Sequence, residues 1–278
     1  MCFIGAHPDD ETFGLGSTLA HYAAAGVKVY YICATRGEAG MNNLDQPQEF
    51  ESLAEIRSAE LRCAANILGL ADVVHLGYRD SGMLGTTDNK HTDALAVAPL
   101  DEVTKRIVKV IRSLKPDVVV THDPIGGYRH PDHVVVNNAT VKAFEIAAVP
   151  TEYPEDGPAF QPQKLYFHVF PRKLLKVTVK LMPFFGQDPR HFGQNKDVDL
   201  ASLAEVDFPL HAVIRPTKAA LRIRNEAMLC YASQRGSGPP RRNILFLIRR
   251  LLGQRESFMR AYPPGMGGQE HDLFENVS

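Results

Sequence analysis

The chain opens with MCFIGAHPDDE (residues 1–11), a short apolar run that ends in a cluster of histidine and aspartate. An apolar run of this length, bounded by polar residues, is typical of a strand buried in a sheet. Residues 12–25 then have helical spacing and end at Gly26, as a helix commonly does. This opening predicts an α/β protein whose first polar cluster lies at the carboxyl end of a strand.

The same alternation continues through the first half of the chain. Further strands are predicted at residues 27–33, 73–76 and 117–121, and further helices at 50–68, 101–114 and 133–147. Because these strands are apolar throughout, we expect a mostly parallel, Rossmann-like doubly wound sheet with helices on both faces. We interpret residues 1–150 as the core, and residues 151–278 as a less regular extension that packs on the same domain and completes the pocket.

The second half is harder to assign. Strands are predicted at residues 164–170 and 208–214, and a helix at 217–233. Residues 174–199 give no assignment. The apolar segment 244–252, flanked by arginines, is compatible with core packing, with a subunit interface of a homo-oligomer, or with contact to a membrane surface.

Composition excludes several classes of function. The 278 residues are 44% hydrophobic and carry a formal net charge of −1, so a nucleic-acid partner is not expected. No apolar run is long enough to span a membrane and no secretory leader is visible, which predicts a cytoplasmic protein. The four cysteines contain no C-x-x-C pair and are interpreted as buried, reduced thiols.

A second polar cluster, GGYRHPDH (residues 126–133), follows the predicted fourth strand. If the strand order is 3-2-1-4-5, strands one and four are neighbours and the two clusters meet in space. Imidazole and carboxylate are ligands of catalytic zinc, which lowers the pKa of bound water to about 7. His7, Asp10 and His133 are therefore the candidate ligands, and ferrous iron would also suit them.

Each of these residues also has a structural interpretation. Asp9, Asp10 or Asp132 could each cap a helix. His75, His91, His122 and His168 are expected to be structural or surface residues, although His122 could line the pocket. Gly14-Leu15-Gly16 lacks the third glycine of a dinucleotide-binding turn, which argues against an oxidoreductase. Two dense clusters at strand ends favour a metal site over capping alone.

Both clusters, with TRGE (residues 35–38) and RDSGM (residues 79–83), resemble the PIG-L/LmbE family of metal-dependent deacetylases, from the first strand to about residue 147. A looser resemblance covers residues 218–234 and 256–277. It implies zinc, or ferrous iron, bound by His7, Asp10 and His133. The resemblance also implies that Asp9 is the general base, that His130 is a protonated imidazole that stabilises the oxyanion, and that Asp132 orients a histidine. It further implies that Tyr128 is a mobile phenol over the site and that Arg57 and Asp80 bind the sugar.

The resemblance implies a hydrolase that removes the acetyl group from a small molecule containing N-acetylglucosamine. One alternative keeps the site and changes the substrate to a mycothiol-type S-conjugate, which an amidase would cleave. The other alternative is a metal- or carbohydrate-binding protein without turnover. Because the positions for base, acid and ligands are all filled, the sequence favours an enzyme.

Overall fold

The computed structural model describes residues 1–43, 50–170, 172–192, 196, 198–235, 255–265 and 268–278. Within these ranges the strands are β1 (Cys2–Gly5), β2 (Tyr30–Cys33), β3 (Asp72–His75), β4 (Val118–His122), β5 (Lys164–Val169), β6 (Ala212–Ile214) and β7 (Glu256–Tyr262). The helices are α1 (Asp10–Phe13), α2 (Gly16–Ala24), α3 (Leu53–Leu68), α4 (Leu100–Leu114), α5 (Pro131–Ile146), α6 (Arg172–Leu181), α7 (Leu200–Leu203), α8 (Lys218–Ala227) and α9 (Ala232–Arg235).

The strands form one sheet in the order β3-β2-β1-β4-β5-β7-β6. The pairs among β1 to β5 are all parallel, whereas β7 is antiparallel to both β5 and β6. The mostly parallel α/β sheet predicted from the sequence is therefore confirmed, and so is the order 3-2-1-4-5 of its first five strands. Strands β1 and β4 are neighbours, so the polar clusters that follow them lie at the same edge of the sheet.

The central strands bury side chains on both faces, which is why they are apolar at every position. Along β1, Cys2 and Ile4 face a core shared with α4 and α5, while Phe3 faces a second core shared with α2 and α3. Helix α4 contributes Val103 and Ile107 to the first of these cores. Two cores hold the carboxyl ends of β1 and β4 rigidly in the middle of the molecule.

Helix boundaries follow local capping. Helix α3 begins at Leu53, three residues later than predicted, because the Ser52 hydroxyl accepts the backbone N–H of Glu55 at 3.3 Å. The predicted helix 12–25 is instead two helices, because Leu15 leaves helical geometry (φ −121°, ψ 5°). Residues 217–233 likewise divide into α8, a 3₁₀ turn at Met228–Cys230 and the short helix α9.

The second half of the chain extends the same sheet. Strand β5 was predicted, β6 is shorter than predicted, and β7 was not assigned from the sequence; it lies between them. Residues 174–199 contain most of α6 and a 3₁₀ turn at Met182–Phe185. The segment 244–252 lies outside the described residues. No described helix combines the length and the apolar character needed to cross a membrane.

One expectation about the cysteines is wrong. Cys2 and Cys33 are free and buried, but Cys63 of α3 and Cys230, which follows α8, form a disulfide across 167 residues of sequence. The pairing was missed because neither residue belongs to a short-range motif, and only the packing of α3 against α8 brings them together. Of the four cysteines predicted to be reduced, only Cys2 and Cys33 are free thiols.

Candidate metal-dependent active site

The turn after β1 is held by its own aspartate. The Asp10 carboxylate accepts the backbone N–H groups of Ala6 at 3.0 Å and His7 at 2.8 Å. The Tyr31 hydroxyl, from the neighbouring strand β2, donates to the His7 carbonyl at 2.6 Å. The Asp9 side chain makes no capping bond, although Asp9 sits at the start of α1. The carboxylates of this turn are therefore not used for helix capping.

The loop after β4 brings two histidines to the same place. His130 lies at the N-cap of α5, where its Nδ1 accepts the backbone N–H of Asp132 at 3.2 Å, and His133 lies in the first turn. Gly126 has φ +72°, and a Cβ there would lie 2.8 Å from the His130 carbonyl oxygen. Only glycine fits this close approach. His130, not Asp132, caps the helix, which leaves the Asp132 carboxylate for another partner.

His7, Asp10 and His133 converge with their ligand atoms toward one another. His7 Nδ1 lies 3.2 Å from His133 Nε2 and 3.7 Å from Asp10 Oδ2, and His133 Nε2 lies 3.4 Å from Asp10 Oδ1. Metal–ligand bonds of about 2.0–2.1 Å in a tetrahedral site give ligand–ligand edges of about 3.3–3.4 Å. The three residues, called the ligand triangle below, are separated by distances close to these edges, measured to both oxygens of Asp10, and their donor set fits zinc or ferrous iron.

His122, at the end of β4, also contacts this triangle. Its Nε2 lies 3.3 Å from Asp10 Oδ2, and its ring stacks on that of His133 with centroids 3.8 Å apart. Asp10, His122 and His133 together form a cluster that could hold a cation. His122 was expected to be structural or to line the pocket, and it lies beside two of the candidate ligands.

Asp132 lies behind His7, on the side away from the ligand triangle. It accepts the backbone N–H of Ser81 at 2.9 Å and the Ser81 hydroxyl, and lies 3.1 Å from His7 Nε2. Asp80 approaches the same nitrogen at 3.4 Å. Because Nε2 faces these carboxylates, Nδ1 of His7 is the nitrogen that faces the other ligands. A buried carboxylate in this position orients a ligating imidazole.

Arg57 reaches the site from α3 and is buried. It donates to Asp9 Oδ2 at 2.9 Å and to the carbonyls of Pro8 and Gly37. Its Nη1 lies 4.0 Å from Asp80 Oδ2. A Cβ on Gly37 would come within 1.9 Å of the guanidinium, so glycine makes room for it. The guanidinium lines the pocket, but most of its hydrogen bonds hold the turn that carries Asp9.

Burial and charge shift the ionisation of the site residues. Burial raises the pKa of Asp9 to about 7, against the opposing charge of Arg57. Burial and the charge of His7 lower the pKa of His130 to about 4. Burial acts to raise the pKa of Asp10, but the imidazoles of His133 and His122 hold it well below its usual range. These values suit a base at Asp9 and an anionic ligand at Asp10.

The ionisation of His130 differs from the protonated form that the resemblance implies. Its lowered pKa makes the imidazole neutral near pH 7, and its Nδ1 accepts a backbone N–H, which an imidazolium nitrogen cannot do. The remaining hydrogen is then on Nε2. In this geometry His130 accepts a hydrogen bond at Nδ1, and as a neutral imidazole it would donate through Nε2.

His7, Asp9 and His130 line a cavity of about 280 Å³. Tyr128 lies at its edge, with its ring centroid 5.1 Å from that of His133 and 5.8 Å from that of His130. The rest of the wall combines polar and apolar side chains: Asp9, Arg57, Asp80, Thr86, Asp88, Gln234, Met41 and Met83. The volume and the mixed lining suit a small polar molecule.

Two residues at the site were not singled out from the sequence. Glu11 is fully buried and accepts the Asp9 backbone N–H at 3.0 Å and the Tyr231 hydroxyl at 2.6 Å, so it ties the Asp9 turn to the second half of the chain. Gln234 lines the pocket. No local pattern marks either contact, because each joins segments about 200 residues apart.

The fold and this site match a known family. A family model described as PIG-L, GlcNAc-PI de-N-acetylase, matches residues 2–144. The chain is 34% identical to a 1D-myo-inositol 2-acetamido-2-deoxy-alpha-D-glucopyranoside deacetylase of Geodermatophilus obscurus, covering 100% of this chain and 97% of that protein. A protein of the same name from Thermomonospora curvata is 37% identical, with 100% and 96% covered. The chain belongs to the PIG-L family.

Solved structures agree with the PIG-L fold. The N,N'-diacetylchitobiose deacetylase from Pyrococcus horikoshii aligns with a TM-score of 0.64 at 21% identity, covering 95% of this chain and 83% of that one. Family membership confirms the resemblance drawn from the two polar clusters. It also confirms the prediction of an enzyme that hydrolyses carbon–nitrogen bonds of linear amides.

Proposed function

We propose that this PIG-L protein is a zinc-dependent deacetylase of 1D-myo-inositol 2-acetamido-2-deoxy-α-D-glucopyranoside, the substrate in the names of its relatives. The observation that carries the proposal is the ligand triangle of His7, Asp10 and His133, whose member His7 lines the cavity together with Asp9 and His130. Ferrous iron is the second candidate metal, because the same ligand set suits it.

A metal bound by the three ligands would polarise the amide carbonyl and lower the pKa of a water beside it. Asp9 is the general base. A pKa of about 7 lets its carboxylate take a proton from water near neutral pH and return it to the leaving nitrogen. The ion pair with Arg57 and the backbone bond to Glu11 hold this carboxylate at the edge of the cavity.

His130 and Tyr128 act on the carbonyl oxygen. As a neutral imidazole with its hydrogen on Nε2, His130 donates a hydrogen bond to the oxygen as negative charge develops there. Tyr128 lies against His130 and His133 and is placed to steady the same oxygen from the cavity mouth. Asp132 holds His7, so it acts as a positioning residue.

The wall of the cavity suits a sugar. Asp80 accepts a hydrogen bond from the Gly82 backbone N–H at 2.8 Å, and it lines the cavity. Carboxylate, amide and hydroxyl groups pair with sugar hydroxyls, while Met41 and Met83 offer apolar contact to the faces of the rings. We propose that residues 1–150 form the metal-site core and that residues 151–278 complete the pocket through Gln234.

The test is metal removal and return with substrate turnover measured on the same sample. Chelated protein should release no acetate from 1D-myo-inositol 2-acetamido-2-deoxy-α-D-glucopyranoside, and one equivalent of zinc or ferrous iron should restore release. His133→Ala should fail to bind metal or turn over substrate, whereas His91→Ala, on an exposed loop, should behave as the wild type.

The substrate panel separates the alternatives. Free N-acetylglucosamine and a thiol S-conjugate amide are assayed beside the inositol compound. Faster cleavage of the conjugate would replace the deacetylase proposal with an amidase. Stoichiometric metal without turnover of any of the three would favour a binding protein, and absence of metal after reconstitution would overturn the site itself.

A further inference from the structure

Helix α6 and the 3₁₀ turn that follows it have a buried side and an exposed side. Leu175 and Val179 pack against a small core of Met182, Leu200 and Leu203, which also receives Ile125 from the loop after β4. The buried positions 178 and 182 and the partly buried positions 175 and 179 recur at helical spacing. The segment is thus anchored to the protein along one face, close to the loop that carries Tyr128.

The opposite face carries both lysines and large apolar side chains. Its exposed residues lie three or four apart and form one stripe: Lys173, Lys176, Val177, Lys180, Leu181 and Phe184. Phe184 is 84% exposed and the adjacent Phe185 is 57% exposed. Large apolar side chains grouped on a protein surface mark a binding surface more often than scattered ones do. We call this stripe, with Phe185, the α6 face.

The charged side chains of the α6 face are all positive. Residues 170–187 contain Arg172, Lys173, Lys176 and Lys180 and no acidic residue, although the whole chain has a formal net charge of −1. None of the three lysines has an ion-pair partner within the part of the chain that the structure describes. The positive charge on this face is not neutralised by the protein's own carboxylates there.

We propose that the α6 face docks the protein on an anionic phospholipid surface. Helices that lie in a membrane interface combine a basic polar side with Phe and Leu that enter the boundary between headgroups and acyl chains. Lysine side chains reach past apolar neighbours to lipid phosphates, so lysines and apolar residues can share one stripe. Phe184 and Phe185 would enter the interface, and the three lysines would contact the headgroups.

A second copy of the chain fits this face less well. A two-fold contact would bring the same patch of both copies together and place the lysines of one copy against those of the other.

The α6 face also lies near the ligand triangle. Because α6 follows directly after β5, it begins at the sheet edge where the ligand triangle lies.

The test is binding of the full chain to phospholipid vesicles. The vesicles are made of phosphatidylcholine alone or with about 30 mol% phosphatidylglycerol, and the bound fraction is measured by co-sedimentation at low and high salt. We expect binding only to the anionic vesicles, weakened by salt. Phe184→Ser with Phe185→Ser, and Lys176→Glu with Lys180→Glu, should each lower the partition coefficient by more than about tenfold.

Two control variants match these changes away from the α6 face. Leu84→Ser removes an equally exposed apolar side chain, and Lys109→Glu reverses an exposed charge on α4. Both should bind vesicles as the wild type does. All variants should keep the deacetylase rate on the soluble substrate, which shows that they are folded.

Three results would overturn the proposal. The wild type could fail to bind anionic vesicles, or the α6-face variants could bind as well as the controls. A third result would be a particle mass in solution, measured by light scattering, that is a multiple of the chain mass and falls to one chain in the phenylalanine variant. That result would identify the face as a subunit contact.

Discussion

At the scale of single residues, the proposed base Asp9 can be tested separately from metal binding. It lies in sequence between the proposed ligands His7 and Asp10, and its carboxylate contacts Arg57 at 2.9 Å. Its backbone has φ 112°, a conformation that aspartate and asparagine tolerate better than most residues. The Asn side chain therefore offers a substitution that keeps the turn and removes the base.

We predict that Asp9→Asn retains stoichiometric metal and lowers kcat by about 10²–10⁴-fold, the usual contribution of a general base. Metal content and kcat are measured on the same preparation, with Asp93→Asn, an exposed carboxylate outside the cavity, as the control. Loss of metal from Asp9→Asn would assign Asp9 to the ligands and leave the base unidentified.

His122 contacts two of the proposed ligands, Asp10 and His133. Its Nε2 lies 3.3 Å from Asp10, while its ring stacks on His133. His122→Phe keeps the stacking surface and removes the nitrogen, so we predict a 10–100-fold weaker affinity for zinc, about the loss seen when a group that orients a ligand is removed. Competition against a chromophoric chelator measures it. The exposed His91→Phe should change nothing, and unchanged affinity in His122→Phe would make the contact incidental.

The residues of the site differ in how far the sequence could predict them. His7, Asp10 and His133 lie in two short clusters at strand ends, so their spacing and the parallel sheet were enough to bring them together. Glu11 has no such signal, because its role depends on a hydroxyl of Tyr231 far along the chain. The ionisation of His130 depends on burial and on the charge of His7, which spacing does not encode.

At the scale of elements, a single arginine holds the connection between α5 and β5 by hydrogen bonds to its backbone. Arg112 of α4 is 2% exposed and donates to backbone carbonyls along this connection rather than to a carboxylate. Its partners are the carbonyl oxygens of Ile146, Ala147, Val149, Glu152, Tyr153 and Gly157. The fixed fork of the guanidinium donates to several backbone carbonyls at once.

Arg112→Met should lower the free energy of unfolding by about 3 kcal/mol or more, because it removes all the hydrogen bonds that the guanidinium donates to this connection, each worth about 0.5–1.5 kcal/mol. Denaturant unfolding of Arg112→Met and of Arg62→Met, which removes an exposed arginine of α3, gives the comparison. Arg62→Met should fall within about 0.5 kcal/mol of the wild type. If Arg112→Met lowered the free energy of unfolding no more than Arg62→Met does, the connection between α5 and β5 would not depend on the guanidinium.

Elements of the first half were predictable because local signals and tertiary packing agree there. Apolar strands alternate with helices that begin at a capping residue such as Ser52 and end at a glycine such as Gly69. Strand β7 was missed because both of its partners, β5 and β6, lie far from it in sequence, so no short-range pattern marks the pairing. Its register, with Phe167 opposite Met259, is set by contacts across more than 90 residues.

At the scale of the whole molecule, the Cys63–Cys230 disulfide joins α3 to the segment that carries Tyr231 and Gln234. A link between residues far apart in sequence restricts the unfolded chain, so reduction should lower the free energy of unfolding by about 2–4 kcal/mol. Denatured wild type should show two reactive thiols before reduction and four after it. Reductant should leave the melting temperature of the Cys63→Ser, Cys230→Ser double variant unchanged; four thiols without reductant would rule the disulfide out.

The last strands are tied to the middle of the sheet by Glu270. Its carboxylate accepts from Lys164 at 2.8 Å, from the Tyr166 hydroxyl at 2.7 Å and from Arg260 at 2.7 Å, while its backbone pairs with His211 and Val213. Burial acts to raise the pKa of Glu270, but the hydrogen bonds from Lys164 and Tyr166 and the nearby positive charges lower it below its ordinary 4.5. The folded protein therefore binds this proton more weakly than the unfolded chain does.

This difference sets the direction of a pH effect on stability. A carboxylate with a lowered pKa stabilises the folded state above its unfolded pKa of about 4.5, and the stabilisation is lost as the pH falls through the folded value. Glu270→Gln should therefore cost about 1–3 kcal/mol near pH 7, since Lys164 loses its charged partner. Its free energy of unfolding should then fall less steeply than that of the wild type between about pH 5 and pH 3. The exposed Glu275→Gln is the control, and parallel pH curves for wild type and Glu270→Gln would show that this carboxylate does not link the last strands to acid stability.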